Sequence, residues 1–106
     1  MTINIKFNTI DFWAKDIFYQ KIYSGLNLDN YYSGIIIINY LDNTEDEYYF
    51  TYKDDPSIPL SFFDDKSCRS IEHIYYFVRS IINKSDKDIL FIELEFTKEE
   101  DEWYIL

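Results

Sequence analysis

The sequence predicts an α+β domain, a largely antiparallel sheet with two helices in the order β-α-β-β-α-β-β. Three observations predict it. TINIKFN and DILFIELEF alternate apolar and polar residues with the period of two that strands show. SCRSIEHIYYFVRSIINKS instead repeats its apolar residues at helical spacing. Between them, SGIIIINYL and EYYFTY are separated by a turn short enough for a hairpin, so strands and helices do not alternate strictly as a parallel sheet requires.

Taken in order, TINIKFN sets Ile3, Ile5 and Phe7 against polar neighbours. TIDFWAKDIFYQKIYSGLN places Ile10, Trp13, Ala14 and Ile17 at helical spacing, with Gly25 as a stop. The aromatic and β-branched content of residues 9–24 also permits extended structure there. SGIIIINYL, bounded by Gly34 and the turn-like pair Asp42-Asn43, reads as a strand buried on both faces. EYYFTY returns as its antiparallel partner, with Tyr48, Phe50 and Tyr52 on one face and Glu47, Tyr49 and Thr51 on the other.

The second helix carries the stripe Ile71, Ile74, Tyr75, Val78 and Ile82. Ser67 or Asp65 can cap its start, and Lys84 complements the dipole at its end. DILFIELEF then sets Leu90, Ile92, Leu94 and Phe96 toward the core, with Ile89, Phe91, Glu93 and Glu95 opposite. TKEEDE supplies a charged loop and WYIL a short closing strand. The 106 residues hold one core, a single domain over 1–106 with no linker or internal repeat. Strand order is not legible at this level.

Composition narrows the function. Hydrophobic residues at 47% and aromatics at 21% exceed what a disordered chain contains. Twenty acidic against ten basic residues give a net charge of −10, which disfavours direct contact with nucleic acid or an anionic membrane and favours a basic partner. Cys68 is the single cysteine and has no internal disulfide partner, as suits a reducing compartment. The start MTINIKFN lacks a signal-peptide layout, and the run Ile35 to Ile38 is far too short to span a bilayer. A cytoplasmic location is therefore expected.

The negative charge is segregated. Residues 1–40 are neutral and residues 67–84 carry +2, whereas residues 41–66 and 85–106 carry −6 each. In both acidic segments the strand face away from the core holds carboxylates: Glu47 beside Tyr49 in one, Glu93 and Glu95 in the other. If these strands lie near one another, the groups form one acidic face, flanked by Asp54, Asp55 and the Glu99–Glu102 loop, with Glu45 and Asp46 on its rim. Like charges side by side cost a sheet a few tenths of a kcal/mol or more per pair. Such a cost persists readily where a partner brings the opposite charge, although charge runs also serve solvation alone. Tyrosine beside carboxylate suits a basic protein surface, because the ring supplies contact area and the acid supplies steering and hydrogen bonds.

Catalytic patterns are not found. His73, the single histidine, falls off the apolar stripe of its helix, and Glu72 splays away from it. One Cys and one His cannot build a Cys/His zinc site, and Cys68 near a helix start reads as structural. Glu93-x-Glu95 with Lys98 faintly resembles nuclease metal clusters, but those acids alternate with core residues. Gly25 and Gly34 stand alone, so there is no phosphate loop. Neither an enzyme, nor a cofactor, nor a metal is expected.

The stretch DPSIPLSFFDDKSCRSIEHIYYFVRSII (Asp55 to Ile82), an Ile-Pro-Leu-Ser-aromatic segment leading through acidic residues into an amphipathic helix, resembles immunity proteins of bacterial contact-dependent growth inhibition systems. The resemblance covers about a quarter of the chain. It implies a cytoplasmic antitoxin that binds a cognate toxin domain, very often a nuclease, either RNase or DNase. The resemblance carries over no binding residue; from the charge layout, contacts are expected at Glu45, Asp46, Glu47, Tyr49, Asp54, Asp55, Glu93 and Glu95. The alternative is a phage-encoded acidic mimic of nucleic acid that blocks a host defence or repair nuclease. A third possibility is a domain with an unrelated small-molecule role or none.

Overall fold

The computed structural model describes residues 2–26, 32–52, 67–68 and 70–98. Strand β1 (Thr2–Phe7) leads through a 3-10 turn (Thr9–Trp13) into α1 (Lys15–Gly25). The hairpin β2 (Tyr32–Tyr40) and β3 (Glu45–Tyr52) follows, then a two-residue strand β4 (Ser67–Cys68), α2 (Ile71–Lys84) and β5 (Ile89–Lys98). The sheet order is β1-β5-β2-β3-β4. All pairings are antiparallel except that of β3 with β4. The α+β class with a largely antiparallel sheet is therefore observed. The closing strand WYIL and most of the TKEEDE loop lie outside the described residues, while Thr97 and Lys98 continue β5 instead of starting that loop.

Both helices lie on one side of the sheet. Phe7, Ile36, Ile38, Phe50, Tyr52, Ile92, Leu94 and Phe96 point to that side and share a buried cluster with Phe18 and Ile22 of α1 and Ile74, Tyr75 and Val78 of α2. Phe7, Phe12 and Phe18 form a triangle of rings with centroids 5.2–5.3 Å apart, and Tyr75 joins it at 5.2 Å from Phe18. Each such ring contributes about 1.5–3 kcal/mol by burial. The Tyr75 hydroxyl donates to the Phe12 carbonyl at 2.6 Å, so its one polar atom is satisfied inside the core.

The first helix departs from its expected stripe. Ile10, Trp13 and Ile17 are exposed, and Phe12, Phe18 and Ile22 are buried instead. The cause is a break at Ala14 (φ −128°, ψ 85°), which separates a 3-10 turn from the α-helix. Residues before and after it therefore do not share one 3.6-residue period. Buried Asp11 fastens this corner: it accepts from the Asn8 backbone N–H at 2.9 Å and from Lys21 Nζ at 2.8 Å.

Three further expectations are corrected. The cap of α2 is Ser70, whose hydroxyl accepts from the His73 N–H at 3.2 Å. Ser67 belongs to β4 instead, and Asp65 lies outside the described residues. Gly34 does not bound β2 but sits inside it, opposite Phe50 and Phe96, where the Phe50 ring occupies the space a Cβ would need. Leu90 does not face the core. A bulge pairs Asn39 with Phe91 but Tyr40 with Ile89, leaving Leu90 as the extra residue. Past that point the alternation inverts, so Leu90 is 51% exposed while Ile89 packs against the core.

Candidate functional site

The sheet's outer face is assembled by register. Because β5 and β3 both pair with β2, they flank it on either side. One row across the sheet reads Asn4, Glu95, Ile35, Tyr49, and the next Lys6, Glu93, Ile37, Glu47. Phe91, Asn39 and Glu45 form a third row, and Thr2, Thr97, Ser33 and Thr51 a fourth. An aliphatic pair on the central strand, Ile35 and Ile37, is thus bordered by carboxylates from two segments about fifty residues apart in sequence.

The isoleucine run was expected to be buried on both faces. Ile36 and Ile38 are fully buried, but Ile35 and Ile37 are only half-buried and lie outside the core cluster. Flanking side chains shield them laterally, while both helices occupy the other side of the sheet.

The outer carboxylates are held by neutral donors. Asn4 Nδ2 donates to Glu93 Oε2 at 3.0 Å, and Asn39 Nδ2 donates to Glu93 Oε1 at 3.0 Å. The Tyr49 hydroxyl donates to Glu47 Oε2 at 2.9 Å, and this bond raises the phenol above its ordinary pKa. Amides and a phenol orient a carboxylate without cancelling its charge. Among the described residues the ion pairs are Lys15–Glu72, Lys21–Asp11 and Lys87–Asp42, all away from this face. Lys6 does lie on it, with its ammonium 4.1 Å from the centroid of the Phe91 ring.

Of the expected contacts, Glu45, Glu47, Tyr49, Glu93 and Glu95 come together on this face. Asp46 does not. Strand parity turns it to the helix side, where it accepts from the Tyr40 hydroxyl at 2.7 Å. Burial first, and that bond second, push the Tyr40 phenol up to about 12. There Asp46 lines a groove of about 380 Å³ with Phe77 and Lys84. Asp54 and Asp55 lie outside the described residues.

Three contributors to the face were missed, Asn4, Lys6 and Asn39; Phe91 was placed on it, but not as the platform under Lys6. Asn4 and Lys6 are the polar positions of the alternating segment TINIKFN, so their side of the sheet was readable. Their proximity to Glu93 was not, because it depends on β1 pairing with β5 between residues 85 or more apart.

Other titratable groups have structural surroundings. Cys68 is buried at 3% exposure, and that burial pushes its thiol up to about 12. His73 is exposed on α2, and Glu72 pairs with Lys15 at 3.0 Å across to α1. Among the described residues no group of three or more His, Cys, Asp or Glu is placed to hold a metal ion. No helix among them is long and apolar enough to cross a membrane. Comparison with protein-family models, curated proteins and solved structures gives no match for this chain.

Proposed function

We propose that this chain is a non-enzymatic inhibitor that binds a basic bacterial toxin domain, a nuclease, in a one-to-one complex through the outer face of its sheet. The observation that supports this most is the state of Glu93 and Glu47: fixed by Asn4, Asn39 and Tyr49, yet in no ion pair with a cation among the described residues. A solvating surface needs no such fixing, since exposed carboxylates are well hydrated while mobile. A binding surface gains from it, because the rotamer entropy lost on association is already spent.

The net charge of −10 acts in the same direction, raising the encounter rate with a cationic protein. Nucleases that grip phosphates present such cations. In this reading the chain works in the cytoplasm as the immunity partner of a toxin delivered by a neighbouring cell.

The test is to mix the purified chain with basic nuclease toxin domains, beginning with any encoded immediately upstream, and measure stoichiometry by light scattering and residual nuclease activity by titration. Stoichiometric loss of activity in a one-to-one complex is expected, weakening as salt rises, because exposed charges are screened beyond about 8 Å at physiological strength. A basic nuclease domain that stays fully active at low salt with the chain in excess would overturn the proposal. Binding to a phage-defence or repair nuclease, displaced by duplex DNA, would instead favour the nucleic-acid mimic.

A further inference from the structure

Resting on the inhibitor reading, we infer that the outer face receives a cationic amphipathic helix of the partner, one whose apolar stripe is flanked on both sides by lysine or arginine. The layout of the face carries this. Ile35 and Ile37 form an apolar line along β2, with Glu93 and Glu95 on one side and Glu47 with Tyr49 on the other.

Neighbouring strands are about 4.8 Å apart, so the two acidic borders stand roughly 10 Å from each other. That spacing matches a helix about 10–12 Å across, whose flanking cations reach down to both borders while its apolar stripe rests on the isoleucines. Residues two apart on a strand repeat at about 6.6–6.8 Å, close to the 5–6 Å between side chains three or four apart on a helix. An extended segment presents only one row of side chains to the face and reaches one border at a time. The sheet already carries its own helices on the opposite side, and a docked helix completes a three-layer arrangement.

Charge fixes the polarity of the match. Four carboxylates (Glu45, Glu47, Glu93, Glu95) and one ammonium (Lys6) give the face a formal −3. Lys6 is drawn aside over Phe91 at the β1 edge, leaving the isoleucine line clear of cations among the described residues.

The experiment uses two synthetic peptides of about 20 residues, long enough to form a helix on binding. They share one Leu/Ala/Lys composition, one arranged amphipathically and the other scrambled. Affinity is measured by calorimetry, peptide helicity by circular dichroism, and the docking surface by amide chemical-shift changes on the labelled chain. The amphipathic peptide is expected to bind at least about tenfold tighter than the scrambled one and to gain helicity. Its shift changes should centre on Ile35, Ile37, Tyr49 and Glu93, and Glu47→Gln should weaken it without altering the fold. Ile37→Asn should remove the preference for the amphipathic arrangement, and shift mapping on the unmodified chain decides the matter if that variant does not fold.

Equal affinity for both peptides, binding without helicity, or shift changes centred on α2 each overturns the inference. A basic toxin domain that binds the face while the two peptides bind alike defeats the helix alone and leaves the inhibitor reading standing. Absence of binding by peptides and basic nucleases together defeats both.

Discussion

Reversing Glu93 and Glu95 together, as Glu93→Lys/Glu95→Lys, tests the outer face most directly. The double reversal turns its formal charge from −3 to +1. Close charge pairs across protein interfaces couple by about 1.5–7 kcal/mol, so losing two such pairs and adding repulsion weakens a basic partner by about 4 kcal/mol or more. That is roughly a thousandfold in Kd. The fold should tolerate the change. Asn4 and Asn39 now donate to Glu93, but each amide can rotate to offer its oxygen to a lysine ammonium, so stability should move by no more than about 1 kcal/mol. Calorimetric titration against the toxin domain reads the first quantity and urea unfolding the second. Glu93→Gln keeps an acceptor for one amide and removes only charge, so it should show a smaller loss with an unchanged unfolding midpoint. An unchanged Kd for a folded double variant would refute the role given to these acids.

Other predictions concern the frame that presents the face. Gly34→Ala drives a methyl group into the Phe50 ring and should cost about 1–3 kcal/mol, seen as a fall in Tm of roughly 4–8 °C per kcal/mol. Tyr75→Phe removes the 2.6 Å bond to the Phe12 carbonyl and should cost about 1–3 kcal/mol in urea unfolding, while binding by the outer face stays the same. Burial raises the Cys68 thiol from 9.0 to about 12, so the contribution of its neutral form to stability is intact below pH 9 and declines as pH climbs toward 12. Cys68→Ala should flatten that part of the alkaline stability profile, and native Cys68 should react with a thiol reagent at pH 8 only as fast as the chain opens. Lys15→Ala removes the Glu72 partner and a bond to the Tyr76 hydroxyl, and should return the Glu72 carboxyl, now held below its ordinary pKa by Lys15, to the usual range in an NMR titration.

Local periodicity was readable wherever one period ran through a whole element. Ile71, Ile74, Tyr75 and Val78 recur at helical spacing and are buried as a group, and Tyr48, Phe50 and Tyr52 alternate inward along β3. Legibility ended where geometry interrupts a period. Ala14 splits Thr9–Gly25 into two kinds of helix, which strands Ile10 and Trp13 on the surface, and the bulge at Leu90 inverts the alternation for one end of β5. The candidate site divides in the same way. Which side of its strand each carboxylate takes follows from parity, and this separates Glu47 from Asp46. That β5 and β3 flank one strand is a property of sheet order, set by pairings between residues as much as 66 apart.

The place of β5 in the sheet has a consequence for when this protein becomes competent. On the ribosome, β1 and the β2–β3 hairpin emerge long before residues 89–98, yet within the sheet β1 touches only β5 among the described strands. Non-local pairings of this kind form slowly and late. One acidic border and the bond from Asn4 both depend on β5 and therefore form only after it has been made. A chain interrupted before β5 is made carries the isoleucines and Glu47 but lacks Glu93 and Glu95, so it has one acidic border in place of two.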